Sequence, residues 1–104
     1  MRDRRFELRH DTNESVELHW TDPSGTVVAC PAVIRDLSPS GARIALDRPI
    51  RLQTNLRITF RHQDLIAKVR TCNRTRKGFI LGIELDTASR GLLTTRRSAQ
   101  PLSA

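Results

Sequence analysis

Aromatic side chains are scarce in this chain of 104 residues: tyrosine is absent, and Phe6, Trp20, Phe60 and Phe79 are the whole supply. A protein that reads single strands by stacking needs several exposed rings. Three of these four fall on inward positions of the strand pattern described below, which argues against that mode. Cysteine is nearly as sparse. Cys30 and Cys72 stand far apart, with no CxxC and no histidine nearby to complete a metal site, so reduced thiols in a core are expected and no metal is. No run approaches the ~20 apolar residues of a membrane helix, and no apolar stretch follows the basic N-terminus. A cytoplasmic protein without a membrane span is the expectation. There are also no paired carboxylates, no Ser/His/Asp set and no Gly-rich phosphate loop, so neither an enzyme nor a cofactor is expected.

Lysine is the remaining scarcity, and it is informative. Of 18 basic residues 16 are arginine, and only Lys68 and Lys77 break the rule. A guanidinium presents a planar fork of donors that matches phosphate and the guanine edge, which an ammonium does not. The charge is unevenly spread. Residues 1–14 balance Arg2, Arg4, Arg5 and Arg9 against Asp3, Glu7, Asp11 and Glu14, whereas residues 48–76 set eight basic side chains against Asp64 alone. The second stretch implies an anionic partner. The first is not a simple basic tail.

From Ser15 onward the apolar pattern has period two, the mark of half-buried strands. Val16, Leu18 and Trp20 share a face. A dense turn signal, Thr21-Asp22-Pro23-Ser24-Gly25, separates them from Val28, Cys30, Ala32 and Ile34. Ala42, Ile44 and Leu46 follow, then Leu56, Ile58 and Phe60, then Leu65, Ala67, Val69 and Thr71, and finally Phe79, Leu81, Ile83 and Leu85. Six strands at this spacing predict an all-β fold, a closed barrel or a sandwich rather than βαβ units. After Asp86 there is room for a short C-terminal helix between Ala88 and Ala99, although Gly91 interrupts it; residues 98–104 read as a disordered tail. One domain accounts for the length.

Two motifs stand out once the strands are laid down. Arg5-Phe6-Glu7-Leu8-Arg9 is an RxxxR preceded by Arg4. Asp36-Leu37-Ser38-Pro39-Ser40-Gly41 is a DxSxxG set where one strand turns into the next. RxxxR alone means little among 16 arginines, but the pair, in this order in an all-β chain, resembles the PilZ domain, a bacterial receptor module for cyclic di-GMP. The resemblance covers nearly the whole chain, including the closing Gly82-Ile83-Glu84-Leu85. It implies a six-stranded antiparallel β-barrel over residues 15–86 within one domain of residues 1–97, with residues 1–14 as a flexible ligand-binding segment that folds onto the barrel.

The resemblance also implies roles. Arg5 and Arg9 would bracket the ligand with forks to phosphate or the guanine O6/N7 edge. Asp36 would accept from guanine N1–H and N2–H, which adenine lacks, and Ser38 would offer a small hydroxyl. Gly41 would allow positive φ and close backbone approach. Arg43, two residues on, would add a contact. Arg4 just before RxxxR implies an intercalated pair of cyclic di-GMP molecules, whose extra phosphates a third guanidinium would offset. Two departures from the family pattern are Gln53-Thr54-Asn55, where a glycine is common, and Glu84 in the last strand. The expected function is a receptor that changes conformation on binding and, with no attached output domain, signals to an unidentified protein partner. Two alternatives remain: a small basic barrel binding nucleic acid non-specifically, and a PilZ-like adaptor without nucleotide binding.

Overall fold

A computed structural model of the chain describes residues 10–90. Six antiparallel strands make up most of it: β1 (His10–Thr21), β2 (Val27–Ser38), β3 (Gly41–Leu46), β4 (Asn55–Phe60), β5 (Gln63–Thr75) and β6 (Gly78–Leu85). They pair in the order β1-β2-β3-β6-β5-β4, and β4 closes on β1 through Glu17–Thr59, Leu18–Ile58 and His19–Arg57. Closure leaves no sheet edge exposed to a neighbour. The expected six-stranded barrel is the observed one.

The interior is the predicted set of alternating positions. Leu18, Cys30, Ile34, Ile44, Ile58, Phe60, Val69 and Leu81 are all fully buried, with Trp20, Leu37, Cys72 and Phe79 packed against them. Each large apolar side chain removed from water contributes roughly 1.5–3 kcal/mol, and these contributions hold the barrel. Both cysteines are free thiols. No helix among the described residues is long and apolar enough to cross a membrane.

The hairpins are fixed by local chemistry. The Asp22 carboxylate accepts from Ser24 N at 2.9 Å, Thr26 N at 3.0 Å and Ser24 Oγ at 2.7 Å, tying the β1–β2 turn. These bonds, the Ser24 hydroxyl first, hold the Asp22 carboxyl below the usual carboxylate range. The β4–β5 turn places Arg61 (φ 52°) and His62 (φ 66°) in the left-handed region that such tight hairpins demand. Arg61 is held there by its stacking on the Phe60 ring at 4.7 Å and a two-pronged bond to Glu14 at 3.0 and 2.6 Å.

Three features depart from the sequence reading. Strand β1 begins at His10 rather than Ser15, so residues 10–14 belong to the barrel and not to the N-terminal segment. Their pattern is broken by a bulge between Asp11 and Glu14, which hides the strand from a period-two count. A second bulge, between Val69 and Thr71, reverses the faces of β5: Cys72 and not Thr71 is the inward residue beyond it. At the other end, helical backbone begins at Thr87, capped by Asp86 Oδ1 accepting from Ser89 N at 2.8 Å. The remainder of the expected helix and the 98–104 tail lie outside the described residues.

Candidate functional site

The DxSxxG motif sits where expected, at the β2–β3 hairpin, but its side chains face a direction that periodicity hides. A bulge on β2 between Ile34 and Asp36 makes Arg35 an extra residue. Ile34 faces Ile44 in the core, while Asp36 is paired with outward-facing Arg43, Leu37 with inward Ala42, and Ser38 with Gly41. Paired residues share a face. The bulge therefore turns Asp36 and Ser38 to the outside of the barrel, although both remain about 5% exposed.

Asp36 is buried beside a cation rather than in apolar surroundings. Arg43 Nε donates to Asp36 Oδ2 at 2.8 Å, and Asp11 of β1 is paired with Asp36 on its other side. On the far side of Arg43 stands Gly82, where a Cβ would run into the Thr71 hydroxyl. The outer wall thus carries Asp11, Asp36, Arg43, Gly82 and Thr71 in one row across five strands.

The next row holds Ser38, Gly41 and Glu84. Ser38 Oγ donates to the Gly41 carbonyl at 3.3 Å, closing the turn, and Ser40 O accepts from Leu85 N at 2.8 Å, docking the turn on β6. Gly41 does not adopt positive φ, contrary to the sequence expectation. Its need for glycine is the second one named there, close backbone approach: a Cβ would fall on the Ile83 carbonyl oxygen. Glu84 accepts from Arg70 at 2.7 Å and from Arg90 at 3.0 Å. The Arg70 bond above all, with the charge of Arg90 adding to it, holds the Glu84 carboxyl below its ordinary value. Arg70 also donates to Gln53, which takes φ 72° where a glycine was the family expectation.

A cleft of about 740 Å³ opens on this wall. Asp36 and Arg43 line it together with Asp11 and three cations that the sequence reading did not single out as site residues: Arg35, Arg76 and Lys77. The signal for the last two was present in the Arg-Lys-Gly turn at the end of the basic stretch, but only pairing through β3 and β6 brings that turn to this place. Arg4, Arg5 and Arg9 lie outside the described residues.

Chemically the cleft offers anion-binding cations and two carboxylates, Asp11 and Asp36, that can accept hydrogen bonds. Cys30 lies in the barrel core rather than in the cleft, and burial pushes its thiol up, away from the thiolate form. Among the described residues no cluster of three or more His, Cys, Asp or Glu could hold a metal ion. Comparison with known proteins agrees with the architecture. No curated protein matches the chain. The family model described as PilZ domain matches residues 3–96, spanning the six strands and both motifs. With this match over most of its length, and a six-stranded barrel carrying DxSxxG at the β2–β3 turn, the chain belongs to the PilZ domain family.

Proposed function

We propose that this protein is a non-enzymatic receptor for cyclic di-GMP, the ligand associated with its family, and that it relays the bound state to a protein partner. One observation carries the reading: the β2 bulge presents Asp36 on the outer wall, already paired with Arg43 and bordering a cleft rich in cations. A dinucleotide with two phosphates and two guanines needs that combination. Arginine forks take phosphate oxygens or the guanine O6/N7 edge, and a carboxylate takes the N1–H and N2–H donors. Arg5 and Arg9 would close over the ligand from the N-terminal side. In this reading Ser38 and Gly41 keep the hairpin in shape as much as they touch ligand, and Arg4 favours a second, intercalated ligand molecule.

Calorimetric titration with cyclic di-GMP, with GTP and a short oligonucleotide as controls, tests the reading. Each two-pronged arginine–guanine contact supplies about 1–3 kcal/mol, so Arg5→Ala or Arg9→Ala weakens binding by roughly one to two decades. Undiminished affinity in the double variant overturns the site. Native mass spectrometry should count two ligands per wild-type chain and one for Arg4→Leu. Oligonucleotide binding that survives physiological salt with a sequence preference would instead favour the nucleic-acid alternative, since phosphate-driven binding falls steeply with salt.

A further inference from the structure

Two β-bulges stand side by side on the barrel wall, one on β1 between Asp11 and Glu14 and one on β2 between Ile34 and Asp36. A bulge bends its strand and re-aims the extra side chain, and on β2 that side chain is the exposed Arg35. Strand β3 separates β2 from β6, and the β5–β6 hairpin turns at Arg76 and Lys77. The cleft is therefore bordered by cations from both flanks of β3.

Several cations elsewhere among the described residues are committed to carboxylates. Arg48, Arg61, Arg70 and Arg90 each bond a carboxylate, of Asp47, Glu14 or Glu84. Within the cleft Arg43 has Asp36. Arg35, Arg76 and Lys77 have no acidic partner among the described residues. The remaining charged lining groups are the Asp11 and Asp36 carboxylates, so cations outnumber acids there. Like charges gathered in a concavity repel one another and focus a positive potential, which a multiply charged anion relieves. The cleft's volume also lies in the range of roughly 300–1,000 Å³ typical of small-ligand sites.

We propose that Arg35, Arg76 and Lys77 form a second anion subsite that grips a phosphodiester of the bound dinucleotide from the β5–β6 hairpin side, apart from the Asp36–Gly41 edge. The identity of the ligand rests on the receptor reading above; the anion chemistry of the subsite does not. Arg76 supplies a planar fork and Lys77 a compact point charge, so one orients the phosphate and the other adds attraction. The hairpin becomes part of the binding machinery rather than a solvated tip.

The test compares wild type with the R76Q/K77Q variant and with R51Q/R57Q, which removes the same charge from exposed positions outside the cleft lining. The probes are cyclic di-GMP and inorganic pyrophosphate, followed by calorimetry and by the amide signals of Arg35 and Gly78. R76Q/K77Q is expected to weaken cyclic di-GMP binding roughly tenfold or more, with a shallower salt dependence, while R51Q/R57Q stays within about threefold. Equal affinity in R76Q/K77Q, or an equal loss in R51Q/R57Q, overturns the subsite and leaves the receptor reading standing. If wild type fails to bind cyclic di-GMP, the pyrophosphate arm decides. Shifts at Arg35 and Gly78 that vanish in R76Q/K77Q keep the subsite and remove the proposed ligand; no shifts remove both. Should R76Q/K77Q unfold by circular dichroism, Arg35→Gln is read against the same criteria.

Discussion

Arg43 Nε and Asp36 Oδ2 lie 2.8 Å apart across the β2–β3 pair, and the carboxylate is far more buried than its partner, with side chains 7% and 59% exposed. A nearly buried carboxylate is tolerable because a cation and hydrogen bonds hold it. That same pairing orients it toward the cleft. Arginine can slide aside when a better donor arrives at low cost, since most of its side chain is already in water.

Asp36→Ala should therefore change selectivity more than attraction. Cyclic di-AMP lacks the N1–H and N2–H donors that the carboxylate would accept, so wild type should reject it. The variant should narrow that preference roughly tenfold or more. Calorimetry with both dinucleotides measures it. An unchanged preference removes the carboxylate from the recognition scheme.

Gly41→Ala is expected to fail structurally before it fails in binding. The added carbon meets the backbone carbonyl of Ile83, which cannot rotate away as a side chain could. Overpacking of this kind costs about 1–3 kcal/mol or more, visible as a lower urea midpoint with unchanged slope. If stability is unaffected, the β3–β6 contact is looser than the pairing implies.

Glu84 gives a pH signature. Its carboxyl is lowered chiefly by the Arg70 hydrogen bond, so the ionised form is favoured in the folded state. A depressed folded value contributes stability that is present above the unfolded value, about 4.3, and lost as pH falls through the lower folded one. The Tm difference between wild type and Glu84→Gln should be constant from neutral pH to about pH 5 and shrink below about pH 4. A difference that persists at pH 3 would show that the ion pairs of Arg70 and Arg90 contribute nothing through this charge.

Ser89 completes a ladder that strand pairing leaves open. Its buried hydroxyl accepts from Ile66 N at 2.7 Å, just beyond Leu85, where β6 ends. Ser89→Ala leaves that amide without its acceptor, and the cost is about 1–3 kcal/mol. Hydrogen exchange at Ile66 should speed up more than at Val69. Equal protection in the variant would mean that water takes over the bond.

Much of the barrel was legible in the chain itself. Alternation is a local property of an extended backbone, so Leu18, Ile34, Ile44, Ile58 and Leu81 announced their common side without knowledge of any neighbour. Asp22 and the Pro39–Ser40 turn likewise declared their hairpins through side-chain chemistry that acts within a few residues. The faces of Asp36, Ser38 and Thr71 were decided elsewhere. A bulge exists only as a mismatch between two paired strands, and a single extra residue at Arg35 or Arg70 reverses every side chain beyond it. For the same reason the partners of Glu84, the demand for glycine at Gly41, and the meeting of Arg35 with Arg76 and Lys77 belong to the closed barrel. Each depends on which strand lies alongside, and strand order is settled by burying one common core rather than by any local pattern.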